Sequence, residues 1–314
     1  MKTPFGAIEP TIPRIPAQNR RFGYVAHGRR IGCRLITLFC VLPLAAQPQP
    51  ARIVSTFPSI TETVFALGAG DRLAGVSDYC RYPEAALALP KVGSYLKPDL
   101  EKIALLRPDL VLIRDTAATV ATGLNALGIR YVRIKIGSLA DVYSMIRDVG
   151  AAIGASTNAR ELNAKIRSRL DALRAETAGE PKTTVLIVVG RTPGLLTNLV
   201  AAGPSTYLSE LLEIAGGRNV LPATAIAYPR ISLETVVRWN PGVILDLSDM
   251  SESGDSEVLD ARLREPWLAR HELSAVRGGR VFGLSSEPLV TPGPRVVESA
   301  EMIREKIRQK AGTQ

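Results

Sequence analysis

A tyrosine, a glutamate and a proline recur in this chain at one fixed separation. Tyr95 precedes Leu100-Glu101 and then Pro108-Asp109-Leu110-Val111-Leu112; Tyr228 precedes Leu233-Glu234 and then Pro241-Gly242-Val243-Ile244-Leu245. Tyr95 and Tyr228, Glu101 and Glu234, and Pro108 and Pro241 are each 133 residues apart. Asp99 and Ser232 are good helix N-caps, because their side-chain oxygens accept from first-turn N–H groups. Each glutamate falls in that first turn, where the helix dipole favours a carboxylate by ~0.3–1 kcal/mol. Each short helix ends before a proline, since the preceding residue avoids the helical region. The apolar run that follows reads as a buried parallel strand. A helix-strand unit repeated this far apart predicts two similar lobes, not a solenoid with its much shorter period.

The residue types that carry most catalysis are missing from such patterns. Beyond the first 46 residues the chain has one histidine, His271, and one cysteine, Cys80. That excludes a histidine zinc site and a cysteine-held iron–sulfur cluster. Gly68-Ala69-Gly70 runs into Asp71-Arg72-Leu73, so a dinucleotide fingerprint fails at its third glycine. There is no Walker sequence and no Gly-x-Ser-x-Gly elbow. A carboxylate acid–base pair stays open. The expectation is a protein that is not an enzyme and has no resident cofactor. Cys80 reads as a small loop or core residue, with a metal-binding thiolate as the alternative.

Composition sets the elements that must position these residues. At 46% hydrophobic and 22% charged, 314 residues suffice for two domains of ordinary size. Strands are expected over 52–57, 73–76, 131–136, 184–189 and 281–284, besides the two repeated ones. Pro58 and Ser59 are expected to break the first. Helices are expected over 61–67, 117–127, 138–153, 207–214 and 294–310. Their alternation with strands predicts parallel sheets. From Asn158 to Thr177, Leu162, Ile166, Leu170, Leu173 and Thr177 lie on one helical face. Asn158 with Glu161 reads as a capping box. That helix is about 30 Å long, enough to run along both lobes. The fold class is α/β: a first lobe over 51–155, a linking helix over 156–179 and a second lobe over 182–314.

Phe57-Pro58-Ser59-Ile60-Thr61-Glu62, Asp78-Tyr79-Cys80-Arg81-Tyr82-Pro83 and Val92-Gly93-Ser94-Tyr95, with the Leu-Glu…Pro-Asp-Leu-Val unit, resemble the periplasmic binding proteins of cobalamin and iron-chelate ABC importers. The resemblance covers residues 52 to about 310 of the sequence. It implies two Rossmann-like lobes with parallel sheets joined by one long backbone helix, holding a corrinoid or ferric siderophore between them. Haem is the alternative ligand, and a two-lobed metallocluster or oxidoreductase-like enzyme is the rival from another class. The implied partners are a permease dimer with its ATPase and the small-molecule metal chelate, not nucleic acid, and the protein is expected to be a periplasmic monomer.

Residue by residue, Glu101 and Glu234 match the family's paired surface glutamates that dock onto permease arginines. The dipole effect is the rival explanation, but it gives no reason for two glutamates at one offset. Tyr79, Tyr95 and Tyr228 match aromatic positions lining the cleft, with ordinary packing as the alternative. Aromatic side chains cover the broad apolar face of a chelate with little entropy loss. Tyrosine stands where the cobalamin-binding pattern usually has tryptophan. Arg114, Arg191 and Arg230 sit where strands or loops reach the same cleft, and arginine holds carboxylate or phosphate groups in a fixed fork. Solvated surface charge is their alternative. Asp249 and the polar loop to Ser256 are candidates to close over the ligand.

The net charge of +9 is mostly a property of the first 46 residues, which hold seven basic residues and one acid and so leave +3 for the rest. A nucleic-acid footprint is therefore not expected. Arg29, Arg30 and Arg34 precede the apolar run Leu35 to Leu44, and Ala45-Ala46 follow. That is an export signal by pattern, and the run is shorter than the about 20 apolar residues a membrane span takes. A membrane-anchoring or buried segment is the alternative. Arg29-Arg30 as a twin-arginine signal stays open. Cys33 and Cys40 lie within this leader, and no intramolecular disulfide is expected once it is removed. N-terminal sequencing of exported protein should find the mature chain starting near Gln47; an exported chain that retains Leu35 to Leu44 would refute the assignment.

Overall fold

The computed structural model describes residues 49–248, 256–284 and 286–309. The leader, Asp249 and nearly all of the polar loop to Ser256 lie outside them. The first sheet is built from β1 (Ile53–Ser55), β2 (Leu73–Val76), β3 (Leu110–Arg114) and β4 (Tyr131–Ile134), in the order β2-β1-β3-β4 and parallel throughout. Around it lie α1 (Pro58–Ala66), α2 (Leu100–Leu105), α3 (Ala118–Ala126) and α4 (Leu139–Ile153), followed by the long α5 (Ser156–Glu176). The second sheet uses β5 (Thr183–Gly190), β6 (Leu199–Ala201), β7 (Gly217–Asn219), β8 (Arg230–Ile231), β9 (Val243–Asp246) and β10 (Val281–Gly283). Its order is β10-β9-β5-β6-β8, with β7 also beside β5. The β7, β9 and β10 pairings are parallel, while β6 and β8 extend the edge antiparallel. Its helices are α6 (Tyr207–Ile214), α7 (Leu233–Trp239), α8 (Ser256–Leu268), α9 (Ser274–Arg277), α10 (Ser286–Leu289) and α11 (Val296–Arg308).

Both sheets are apolar on both faces, as parallel strands under helices must be. In the first, Ile53, Leu110 and Leu112 face one way and Val54, Val111 and Ile113 the other. In the second, Val185, Ile187, Val243 and Leu245 oppose Leu186, Val188 and Ile244. The inner faces of the two sheets belong to one continuous cluster that runs through α4, α5 and α6. Ile166, Leu170 and Leu173 of α5 are buried in it, each contributing roughly 1.5–3 kcal/mol of burial.

The internal repeat extends into the backbone. Asp99 Oδ1 accepts from Glu101 N and Lys102 N at 3.1 Å, and Ser232 Oγ accepts from Thr235 N at 3.2 Å. Ile103 and Val236 are the buried members of α2 and α7. Arg107 and Asn240, again 133 apart, have φ of 47° and 45°. This left-handed turn ends each helix one residue before its proline, where the helical conformation is disfavoured.

Three local expectations are corrected. The first strand does end ahead of Pro58, but α1 opens at Pro58 and not at Thr61, because a first-turn proline loses no hydrogen bond. Asn158 lies inside α5 and does not cap it; its amide Nδ2 donates instead to Leu67 O at 2.9 Å, tying α5 to α1. Arg191 does not reach the cleft. Its side chain is 2% exposed and pairs through Nε with Asp246 Oδ2 at 2.8 Å, while Asp246 is 0% exposed. Its other nitrogens donate to the carbonyls of Thr192, Leu195 and Leu263. Asp246 also accepts from Trp267 Nε1 at 2.8 Å and from Ser248. An arginine with every nitrogen engaged inside the second lobe holds β5, β9 and α8 together.

Asp246→Ala should leave the Arg191 guanidinium buried without its counter-charge, lowering unfolding free energy by ~3–5 kcal/mol. Urea denaturation measures it; a loss below ~1 kcal/mol, the range of an exposed pair, would return Arg191 to the surface class.

Candidate functional site

Parallel strands place their following loops at one edge of the sheet, so ligand residues gather beyond the carboxyl ends of the strands. In the first lobe Phe57 follows β1, Tyr79 follows β2, Tyr95 precedes α2 and Arg114 ends β3. The Phe57 and Tyr95 rings are 5.2 Å apart at 78°, and Tyr79 and Tyr95 are 5.2 Å apart at 69°. These edge-to-face contacts build one aromatic surface. The Arg114 guanidinium lies 5.4 Å from the Phe57 centroid, within cation–π range. Its Nε is buried and has no hydrogen-bond partner among the described residues. Tyr79 keeps 50% of its surface exposed, so the aromatic surface is presented, not packed away.

Tyr228 of the second lobe, 44% exposed, comes close enough to Arg114 for that charge to act on its phenol. Partial burial pushes the phenol above its usual range, and Arg114 pulls against that shift. Behind it stands Tyr207, fully buried, whose hydroxyl donates to Leu289 O. Burial pushes this phenol far above its usual range, with the neighbouring Tyr228 adding to the shift. Four of the expected residues, Tyr79, Tyr95, Arg114 and Tyr228, are thus brought to one place. Arg230 is exposed and lines a separate open groove with Ser232, Glu234, Val237 and Arg270.

The loop that carries Tyr79 is pinned from below. The Cys80 sulfur is 3.1 Å from Thr61 Oγ1 and 3.3 Å from Ser77 Oγ, and Thr61 in turn donates to Ser55 Oγ. Lys91 Nζ donates to the Cys80 and Ala86 carbonyls. Cys80 is 1% exposed, and burial pushes its thiol above the usual value. It is a core anchor. No group of three or more histidine, cysteine or acidic side chains that could hold a metal ion occurs among the described residues.

Glu101 and Glu234 lie outside the cleft, exposed on α2 and α7. Asp99 and Ser232 already cap these helices, accepting from Glu101 N and Lys102 N and from Thr235 N, so neither glutamate is the cap. Sequence reasoning missed Phe57, Glu62, Tyr82 and Arg295. Phe57 was findable, as the first residue beyond the carboxyl end of a buried strand. The partnership of Glu62 with Arg295 spans 233 residues and leaves no local signal.

The comparisons with known proteins agree with this fold. The family described as periplasmic binding protein matches residues 53–288. A vitamin B12-binding protein of Vibrio vulnificus (strain YJ016) is 30% identical over 278 residues, covering 86% of this chain and 94% of the relative. The solved periplasmic vitamin B12 binding protein of Vibrio cholerae superposes with a TM-score of 0.69 at 25% identity, covering 83% of this chain and 97% of the other. A periplasmic heme binding protein from Pseudomonas aeruginosa gives a TM-score of 0.71 at 27% identity, covering 84% and 96%. The family match spans most of the chain and the two solved structures share its fold, so this chain belongs to the periplasmic binding protein family.

Proposed function

We propose that the protein is an extracytoplasmic solute-binding protein that captures a metal chelate between its lobes and delivers it to an ABC importer. The observation that carries this reading is the aromatic surface of Phe57, Tyr79 and Tyr95 with Arg114 at its edge and Tyr228 beside that arginine. Edge-to-face rings suit a broad apolar ligand such as a macrocycle, and the vitamin B12-binding relative supports a corrinoid. Haem is the second reading. It is favoured by the buried, unpartnered Nε of Arg114, which suits a ligand carboxylate, and by the heme-binding structural neighbour. A ferric siderophore is the third chelate to test. Absorption spectra of protein purified from its native compartment, followed by calorimetry with cyanocobalamin, haemin and a ferric catecholate, identify the ligand. No binding to any of them removes the chelate reading.

Tyr95→Ala and Tyr228→Ala should each weaken binding of that chelate by about 1–3 kcal/mol, the order for losing a buried side chain of this size. Unchanged affinity in both variants would return these tyrosines to simple packing.

Export and membrane docking complete the proposal. An N-terminal signal carries the chain out of the cytoplasm, and Glu101 and Glu234, one per lobe, meet arginines of a two-fold permease. Replacing both glutamates by arginine should abolish uptake in reconstituted vesicles while chelate affinity in solution stays unchanged. Like charges across the contact cost several kcal/mol, against at most ~1 kcal/mol per helix for the lost dipole interaction. Normal uptake by the double variant would remove these residues from the interface.

A further inference from the structure

The two lobes are clasped by one arginine. Arg295, the residue ahead of α11 in the second lobe, donates through Nε to Glu62 Oε2 at 2.9 Å and through a terminal nitrogen to Glu62 Oε1 at 2.6 Å. Glu62 belongs to α1 of the first lobe. The same guanidinium pairs with Glu287 at 3.1 Å and lies 3.9 Å from the centroid of the Tyr82 ring. The Arg295 and Glu62 side chains are 11% and 3% exposed. Burial raises the Glu62 carboxyl above its usual range, with Arg295 opposing. Gly293 allows the close approach: a β-carbon there would stand 3.3 Å from that of Ser59.

Tyr82 and Tyr79 share one loop. Cys80 fastens its middle to Thr61, and Thr61 is the neighbour of Glu62. Helix α1 therefore holds the loop at two consecutive residues, by Thr61 directly and by Glu62 through Arg295. A buried ion pair of this kind is often no more stabilising than an apolar replacement. Its planar fork and ring stack do fix orientation, and lysine cannot reproduce them.

We propose that Arg295 is a positioning residue for the cleft: by gripping Glu62 and stacking on Tyr82 it sets the angle between the lobes and aims Tyr79 at the ligand. The second half of this statement rests on the chelate reading above; the first does not. The test uses the full mature chain with spin labels on Leu127→Cys in the first lobe and Val258→Cys in the second, both exposed positions, Cys80 being too buried to react. Wild type should give one narrow interlabel distance distribution. Arg295→Met and Arg295→Lys should shift or broaden it while the far-UV spectrum stays folded. Glu62→Gln, which keeps the side chain's shape, serves if the arginine variants fail to fold. An unchanged distribution in whichever of these variants folds overturns the proposal.

With whichever of cyanocobalamin or haemin wild type binds, Arg295→Lys should weaken affinity at least about tenfold. Tyr82→Ala should reproduce part of that loss. Wild-type affinity in Arg295→Lys also overturns the positioning role. Failure of wild type to bind either compound counts against the corrinoid and haem readings alone, because the distance measurement needs no ligand.

Discussion

The apolar face of α5 holds the molecule together. Ile166, Leu170 and Leu173 lie in the same buried cluster as Ile53 and Leu112 of the first sheet and Val185 and Leu245 of the second. Neither sheet could bury its inner face alone, and a β-sheet with one apolar face uncovered is not a stable layer. Sharing one core holds the lobes together, with Arg114 at the carboxyl end of a first-lobe strand near Tyr228 of the second lobe. The outer side of α5 adds ion pairs to α11, including Arg169 with Glu301 at 2.7 Å and Arg304 with Glu176. The exposed Arg169–Glu301 pair contributes little. The apolar stripe supplies the constraint.

Given that frame, three arginines of similar appearance in the sequence have different fates. Arg191 is spent inside the second lobe on Asp246, which also receives Trp267 and Ser248. Arg295 is spent between the lobes on Glu62. Arg114 alone of the three reaches the aromatic surface with a buried nitrogen still unpartnered. A guanidinium has five donors in a fixed fork, so the number already engaged by protein acceptors decides whether any remain for a ligand. A separation of Arg191 and Arg295 from their carboxylate partners by 55 and 233 positions hides that count from any local pattern.

Tyrosines divide in the same way. Tyr207 and Tyr228 are close together, but one is the first residue of α6 and buried while the other is half-exposed beside Arg114. The ring contacts of Tyr95 with Phe57 and Tyr79 depend on β1 and β2 being adjacent strands. Only sheet order, not spacing along the chain, supplies that adjacency.

What the sequence by itself determined was local and periodic. Leucine and valine runs between turns specified the parallel strands. The Asp99 and Ser232 caps specified the starts of α2 and α7, and the stripe from Leu162 to Thr177 specified the linking helix. The repeat at 133 residues announced two lobes. Each of these signals arises between residues a few positions apart, where backbone geometry and hydrogen bonding act directly. Short edge strands such as β6 and β8 escaped because two or three residues have no periodicity to detect. The tertiary structure alone decided that Asn158 would tie α5 to Leu67 instead of capping its helix, that Arg191 would be buried, and that Glu62, Tyr82 and Arg295 would meet. Those outcomes depend on which polar group finds a partner once water has been excluded, and partners in a two-lobed protein are chosen by sheet order and lobe contact across distances at which the chain carries no record of its neighbours.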